Sequence, residues 1–265
     1  MASQNTQRFG DRVDNYVRYR PHYPVDVLHY FRDSYGLLPS HTVVDIGSGT
    51  GISSEMFLKY GNVVIGVEPN EPMRTRSVLL LKDYSRFEAI DGTAENTGVP
   101  DASADFIVAG QAFHWFDRKK ASKEFRRILK PNGVTVLMWN ERLVDTEFAK
   151  LYDQLIIDHA IDYVTVDHRN IEPEMISAFF APEKCTLKTF ANSQTFDFEG
   201  LKGRLSSSSY VPNEGQSGYN EMIDALRDLF NRYREGDVIT IQYDTNVYVS
   251  RQNSYEDHGD VKQVC

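Results

Sequence analysis

Short apolar runs alternate with helical patterns along the first 140 residues, and this alternation limits the fold more than any other feature. The runs are TVVDIG (42–47), VVIGVE (63–68), FEAID (87–91), ADFIVAG (104–110) and VTVLMW (134–139). Each run has the length of one buried strand, and most of the connections are long enough to hold a helix. Strands joined by helices form right-handed crossovers, so the pattern predicts a doubly wound α/β fold with a parallel sheet.

The pattern changes after residue 140. Helical patterns at about 146–163, 173–180 and 219–235 surround one candidate strand near 185–198. Apolar residues from Ile239 to Val249 then alternate with polar residues, as in a strand with one buried face. We therefore predict a Rossmann-like seven-stranded sheet that is mostly parallel, has an antiparallel strand near the C-terminus and carries helical cap insertions.

The composition limits which classes of molecule the protein is expected to bind. The formal net charge is −9 and no long run of lysine or arginine occurs, so neither nucleic acid nor an anionic membrane is expected to bind. Two cysteines predict no disulfide framework, and the polar first twenty residues lack a signal-peptide core. No apolar stretch approaches the roughly 20 residues of a membrane helix. A cytoplasmic location is expected, and the histidine and cysteine spacings predict no metal site.

A glycine-rich turn, VVDIGSGTG (43–51), connects the first predicted strand to a helix. Glycine permits the unusual dihedral angles of such a turn, and a side chain at Gly49 would fill space that a ligand needs. The spacing is G-x-G-x-G, one residue shorter than the dinucleotide fingerprint G-x-G-x-x-G. Glu68 follows Gly51 by 17 residues and could accept both hydroxyls of a ribose. That glutamate suits NAD or an adenosyl ligand, whereas the early third glycine and Asp45 favour the adenosyl ligand.

At this point the chain resembles the class I S-adenosylmethionine (SAM)-dependent methyltransferases, in the small-molecule branch that includes methyltransferase type 11 and trans-aconitate methyltransferase-like enzymes. The resemblance covers nearly the whole chain. It rests on an ordered set of motifs: YVRYRPHYP, VVDIGSGTG, GVEPNEPM, DGTAE, AFHWFD and RRILKPNG. It implies SAM as cofactor and a small-molecule methyl acceptor as partner.

The resemblance also implies which residues line the cofactor. They are Tyr16, Asp45, Gly47, Ser48, Gly49, Gly51, Glu68, Pro69, Asn70, Met73, Thr93, Ala94, Glu95, Gln111 and Ala112. Glu68 would hold the ribose hydroxyls, and Met73 could equally be a core residue. Many relatives carry aspartate where this chain has Thr93, so either the Thr93 side chain or the Ala94 backbone is expected to read the adenine.

The stretch QAFHWFD (111–117) follows the fourth predicted strand, at the sheet edge where open α/β sheets bind ligands. His114 and Trp115 are expected to wall the transfer site, while the two phenylalanines pack in the core. Arg20 is the third candidate catalytic residue. Transfer from a sulfonium requires mainly orientation and a dry cavity, and no metal. A carboxylate acceptor would need no base, whereas a hydroxyl or amine could lose its proton to His114.

Two further segments supply candidate acceptor-binding residues. The stretches YVRYRPHYP (16–24) and GRLSSSSYVP (203–212) combine tyrosine, serine and arginine. With one residue that follows the fifth strand, the candidates are Tyr19, His22, Arg142, Arg204, Ser208 and Tyr210. The resemblance implies that the first stretch closes over the cofactor as a lid and that the second faces the substrate. The alternatives are a solvated surface helix for the first and a plain loop for the second.

The predicted organisation has five parts. They are N-terminal lid helices (1–40), a SAM-binding core (41–142), a helical cap with one core strand (143–235), a final core strand (236–252) and a tail (253–265).

We therefore expect a methyltransferase that acts on a small molecule, with a carboxylate oxygen as one candidate acceptor. One alternative is a catalytically silent member of the fold that binds a ligand, although this chain keeps the glycines and Glu68. A nicotinamide-dependent oxidoreductase is the less favoured alternative because of the glycine spacing. The acceptor and the oligomeric state are left open.

Overall fold

A single mixed sheet of seven strands organises the protein. The computed structural model describes residues 17–160, 172–208 and 210–252. The strands are β1 Thr42–Ile46, β2 Val63–Val67, β3 Phe87–Ile90, β4 Ala104–Gly110, β5 Leu129–Arg142, β6 Thr186–Phe196 and β7 Ile239–Arg251. Their order is β3-β2-β1-β4-β5-β7-β6, and β7 runs antiparallel to both of its neighbours. The predicted fold is confirmed, including its antiparallel C-terminal strand.

The helices begin and end at residues whose chemistry suits those positions. They are α1 Val25–Tyr35, α2 Ile52–Tyr60, α3 Glu71–Leu80, α4 Arg118–Ile128, α5 Glu147–His159, α6 Pro173–Phe180, α7 Phe198–Ser206 and α8 Tyr219–Tyr233. The Asn70 and Asp197 side chains accept hydrogen bonds from the first-turn amides of α3 and α7. Gly36 and Gly61 end α1 and α2 in the left-handed conformation.

Helices cover both faces of the sheet. Val43 of β1 packs with residues of α1 and α2, whereas its neighbour Val44 packs with residues of α4 and α6 on the opposite face. Successive side chains of a strand point to opposite faces, so Asp45 and Asn140 lie on the face that α1 and α2 cover. A third apolar cluster joins α5, α7 and α8 to the first half of β7 and forms the core of the cap.

Strand β5 is longer than the sequence predicts at both ends. Its pairing with β4 begins at Leu129, shifts register across the PNG turn and resumes at Val134. At the other end Met138 pairs with Gly110, the last residue of β4, while β5 continues to Arg142 beside β7. Residues 139–142 therefore extend past the carboxyl end of β4, next to the predicted ligand-binding edge.

Helix α7 is not among the predicted helices, because the serine-rich stretch at its end is also compatible with a loop. Asp197 at its start accepts a hydrogen bond from the Gly200 amide at 2.7 Å, so the N-cap was a usable signal. The helix places Arg204 in the cap core. Parts of three other predictions fall outside the described residues: the first lid helix, the end of the 146–163 helix and the C-terminal tail.

Over the described part of the chain, the structure has no helix whose length and apolar character would allow it to cross a membrane.

Candidate active site

The glycine-rich turn leaves an open space at Gly49. This residue has φ +56°, and a Cβ atom placed on it would meet one described atom within 4 Å, the Met73 Sδ at 3.8 Å. At Gly47 and Gly51, by contrast, close packing leaves no room for a side chain. A Cβ atom would lie 2.6 Å from the Ala112 Cβ at Gly47, and 2.6 Å from the Leu81 Cδ1 at Gly51. Gly49 is therefore the member of the motif whose missing side chain leaves room for another molecule.

Glu68 lies beside that space in a fixed orientation. Its Oε2 accepts a hydrogen bond from the Gly49 amide at 2.9 Å, and its Oε1 accepts one from the Asn70 amide at 2.8 Å. Each carboxylate oxygen keeps capacity for a further donor. Burial raises the pKa of Glu68, while the two backbone donors favour its charged form. The result is a buried acceptor pair next to Gly49.

Asp45 is a second buried carboxylate, at the end of β1. Its Oδ2 accepts hydrogen bonds from the Ser53 and Ser54 hydroxyls, both at 2.6 Å. Its Oδ1 has no hydrogen-bond partner among the described residues. Burial raises the pKa of Asp45 to about 6, against the lowering effect of the two serines. A buried carboxylate oxygen in this position can receive a donor from a ligand.

The residues predicted around the adenine divide into two groups. Asn70 caps α3, and the Met73 side chain is buried with its sulfur towards Gly49. Pro69 and Thr93 are exposed at the surface, whereas Ala94 is buried in the sheet core.

Two other predicted cofactor residues make contacts within the protein. Glu95 accepts a hydrogen bond from the Asp117 amide at 2.7 Å, which joins the loop after β3 to the start of α4. The Ser48 hydroxyl would lie 2.9 Å from a Cβ atom on Gly66, so it packs against β2.

Gln111 takes an unusual backbone conformation where β4 ends. Its φ is +59°, which is uncommon for a residue other than glycine and is found preferentially at functional sites. Its amide donates to the Met138 carbonyl at 2.9 Å, and its side-chain Nε2 donates to the Asn140 carbonyl at 3.1 Å. Ala112 follows, with its Cβ against Gly47. The loop after β4 is thus joined to both the glycine turn and β5.

The aromatic residues of AFHWFD divide between core and surface. Phe113 is fully buried and packs edge-on against Trp139 and Phe179. The His114 and Trp115 rings lie with centroids 4.5 Å apart, and 42% of the Trp115 surface is exposed. The pair therefore presents an aromatic wall to solvent at the end of β4.

Residues 17–24, which we call the lid segment, lie over the carboxyl edge of the sheet. The Tyr23 hydroxyl would be 2.6 Å from a Cβ atom on Gly110, at a point where the Ser53 hydroxyl is 3.3 Å away. The Tyr19 ring packs directly on Gly203 of α7. The His22 side chain is largely exposed, with its Nδ1 3.9 Å from a Glu55 carboxylate oxygen. Tyr16 lies outside the described residues.

Arg204 of α7 lies beneath the lid segment, surrounded by hydroxyl groups. Its Nε donates to the Tyr243 hydroxyl at 3.3 Å, and its Nη1 donates to the Ser207 hydroxyl at 3.4 Å. Burial opposes the charge of Arg204, but Tyr243, Tyr152 and Tyr210 outweigh it and raise its pKa. Among the described residues, no carboxylate lies within ion-pair distance of this guanidinium.

Arg142 of β5 is close to the same cluster. Its Nη2 is ion-paired with Asp153, and its guanidinium lies 4.8 Å from the centre of the Tyr152 ring. Its buried Nη1 has no hydrogen-bond partner among the described residues. Arg20 of the lid segment donates from Nη2 to the Ser207 carbonyl at 3.2 Å. The structure therefore brings three predicted arginines together around the end of α7.

Several residues of this region were not recognised from the sequence. Ser207, rather than Ser208, contacts both Arg20 and Arg204, although Ser208 is also buried. The fully buried Tyr243 lies on β7, and only the sheet order brings it to the site. Asn140 could have been predicted as a site residue from the sequence, because it follows a buried strand at the carboxyl edge of a parallel sheet.

Comparison with known proteins finds methyltransferases. Residues 44–137 match the sequence profile of a methyltransferase domain, Methyltransf_11. An uncharacterized methyltransferase-like protein of Schizosaccharomyces pombe is 24% identical over 95% of this chain and 98% of its own length. An uncharacterized methyltransferase of Mycobacterium tuberculosis is 35% identical over 51% of this chain and 52% of its own length. Residues 44–137 therefore carry a methyltransferase domain, and the chain is similar over nearly its whole length to a methyltransferase-like protein.

Solved structures share the fold of this methyltransferase at low sequence identity. A provisionally assigned type II methyltransferase of Anaeromyxobacter dehalogenans has a TM-score of 0.63 and 22% identity, with 89% of this chain and 98% of that chain covered. The YcgJ protein of Bacillus subtilis has a TM-score of 0.57 and 21% identity, with 86% and 99% covered. A geranyl diphosphate methyltransferase solved with SAM has a TM-score of 0.50 and 14% identity, with 86% and 85% covered.

The residues of the methyltransferase fit the SAM that its family uses as methyl donor. The open space at Gly49 adjoins a buried carboxylate, Glu68, that can accept two more hydrogen bonds. A second buried carboxylate, Asp45, has an oxygen with no partner among the described residues. A ligand that carries a ribose diol and an ammonium group supplies donors for both.

Proposed function

We propose that this methyltransferase transfers the methyl group of SAM to a carboxylate oxygen of a small molecule. The observation that carries the proposal is Arg204, a partly buried cation whose hydrogen bonds go to the neutral hydroxyls of Tyr243 and Ser207. A buried guanidinium is normally paired with an anion, because withdrawing it from water is costly. The acceptor would supply that anion.

The cofactor side follows from the two buried carboxylates. Glu68 would accept the ribose hydroxyls, since the amides of Gly49 and Asn70 already fix its orientation. Asp45 would accept the methionine ammonium through Oδ1, while Ser53 and Ser54 hold the other oxygen. The adenine would lie between the Met73 side chain and the loop of Thr93 and Ala94.

The acceptor side follows from the arginines around the end of α7. Arg204 would donate to the acceptor carboxylate, and planar guanidinium groups suit such two-pronged contacts. The buried Nη1 of Arg142 is a second donor close by. The predicted roles of Tyr19, Ser208 and Tyr210 are proposed as lining, because all three lie around the same helix end.

The methyl transfer would need few other groups from the protein. When bound, SAM would supply an electrophilic methyl carbon for the acceptor oxygen, and its sulfur would keep the electron pair of the C–S bond that is lost. An ionised carboxylate has no proton to lose, so the residues act by orientation and exclusion of water. His114 and Trp115 would form a wall of the transfer site rather than a proton relay.

Methyl-labelled SAM and a panel of small carboxylic acids test the proposal. We expect labelled methyl esters, which mild base hydrolyses, from the wild-type enzyme. Arg204→Gln should raise the acceptor KM by about tenfold or more, the factor for losing a charge-assisted hydrogen bond. The affinity for S-adenosylhomocysteine should not change.

Lys202→Gln is the matched control, because it removes another cation of the same helix and should leave the acceptor KM unaltered. A base-stable label, or an unchanged acceptor KM in Arg204→Gln, would contradict the proposal.

A further inference from the structure

Asn140, near the end of β5, joins four parts of the structure through one buried side chain and its own carbonyl: the lid segment, β6, β7 and the loop after β4. Its Nδ2 donates to the Pro21 carbonyl at 3.2 Å and to the His22 carbonyl at 3.4 Å, both in the lid segment. Its Oδ1 accepts from the Asn192 side chain at 3.0 Å and from the Thr245 hydroxyl. Its backbone carbonyl accepts the Gln111 side chain.

Two further side-chain amides of the sheet donate hydrogen bonds to the lid segment. The Asn192 Nδ2 donates to the His22 carbonyl at 2.8 Å, and the Gln194 Nε2 donates to the Tyr19 carbonyl at 3.2 Å. The Gln194 Oε1 in turn accepts from the Tyr243 hydroxyl, which also binds Arg204. Asn140 and Gln194 thus connect the lid segment with both ligand sides of the proposed active site.

The backbone of the lid segment explains why it is held in this way. Pro21 and Pro24 have no amide hydrogen, so the segment cannot pair along a strand, and its carbonyls need donors from elsewhere. Three side-chain amides supply those donors. A segment held by a few side-chain contacts opens more easily than a strand within a ladder.

We propose that Asn140 is a positioning residue that couples SAM binding to closure of the lid segment over the acceptor site. The inference rests on the proposed function for the location of the two ligands. Gln111 adjoins the cofactor side through Ala112 and Gly47, and its side chain is hydrogen-bonded to Asn140. Asn140 in turn holds Pro21 and His22. A ligand that orders Gln111 therefore favours the closed lid segment, and closure favours the ligand to the same degree.

The test compares Asn140→Ala with Thr245→Val by amide hydrogen exchange of peptides covering residues 17–24. Thr245→Val is the matched control because it removes a hydrogen bond of Asn140 that does not involve the lid segment. In the absence of ligand, Asn140→Ala should raise exchange in the lid segment by about fivefold or more, whereas Thr245→Val should not. Exchange in β1 should stay the same in both.

A second readout separates coupling from a general loss of stability. S-adenosylhomocysteine should slow exchange in the lid segment of the wild type and of Thr245→Val, and this protection should be lost in Asn140→Ala. If Asn140→Ala does not fold, Asn192→Ala replaces it, since Asn192 is less buried and donates to the same carbonyl of His22.

Equal lid exchange in Asn140→Ala and Thr245→Val would overturn the inference. So would full protection by S-adenosylhomocysteine in Asn140→Ala. Failure of the wild type to bind S-adenosylhomocysteine would instead overturn the proposed function, and the exchange comparison without ligand would still decide whether Asn140 holds the lid segment.

Discussion

At the scale of single residues, the site is marked by groups that are costly unless a ligand uses them. Gly49 and Gln111 both have φ near +60° at the carboxyl edge of the sheet. Asp45 is fully buried, and its pKa is raised to about 6. Strained backbone and buried charge are tolerated at functional sites because binding and catalysis depend on them. Asp45 and Gly49 belong to one turn, and Gln111 reaches it from the end of β4 through its neighbour Ala112, which packs on Gly47.

Gly49→Val should abolish binding of SAM and of S-adenosylhomocysteine in a protein that still folds. The new side chain enters the open space beside Met73, and the left-handed backbone adds strain of about 1–2 kcal/mol. Calorimetric titration measures the binding, and circular dichroism checks the fold.

Gly36→Val is the control, because Gly36 is also left-handed with no described atom within 4 Å of an added Cβ. Gly36→Val should lower the free energy of unfolding by a similar amount and should bind SAM and S-adenosylhomocysteine normally. Normal binding by Gly49→Val would place the cofactor elsewhere.

At the scale of elements, the proposed acceptor side depends on the length of β5 and on the position of α7. Strand β5 continues past the end of β4, which brings Asn140 and Arg142 to the ligand edge. Helix α7 follows β6 after a single residue, Asp197, and brings Arg204 beneath the lid segment. A substitution at the start of α7 should therefore weaken binding at the proposed acceptor site without changing cofactor binding.

Asp197→Ala should lower the free energy of unfolding by about 1 kcal/mol, as for other helix N-caps, and should raise the acceptor KM. The reason is that the cap orients the helix that carries Arg204 and Ser207. Urea unfolding and steady-state kinetics measure the two effects.

Asp117→Ala removes the N-cap of α4, which packs on the other face of the sheet. Asp117→Ala should lower the free energy of unfolding by a similar amount and leave the acceptor KM unchanged. An equal rise of KM in both variants would argue against a specific role for α7.

At the scale of the whole molecule, the two proposed ligand sides meet along one edge of a sheet whose faces are both covered. The carboxylates Asp45 and Glu68 lie on the proposed cofactor side, and the arginines lie on the cap side. This separation matches a cationic methyl donor and an anionic acceptor, in a protein whose net charge is −9. Ligands that bind the folded state stabilise the whole chain by mass action.

S-adenosylhomocysteine at about one hundred times its Kd should add roughly 2.7 kcal/mol to the free energy of unfolding. For a chain of this size the rise in Tm should be on the order of 5–10 °C. Differential scanning fluorimetry measures it, with NAD and NADP as controls that should cause no shift. A rise with NAD and none with S-adenosylhomocysteine would favour the nicotinamide alternative.

Local patterns in the sequence were enough to predict the sheet, the glycine turn and the acidic residues near it. These features are local: strand runs, a fixed glycine spacing and residues that directly follow strands such as β1 and β2 are readable within a few positions. The sequence also indicated Arg204, but not the helix that carries it.

The contacts that those residues make depend instead on how distant segments pack together. Asn140, Tyr243 and Gln194 lie far from the lid segment in the chain, and the pairing of β7 between β5 and β6 brings them to it. Whether a buried arginine has a carboxylate partner depends likewise on contacts between distant segments. Propensity and spacing describe neighbours in sequence, whereas burial and hydrogen bonding depend on neighbours in space, which the sheet order sets.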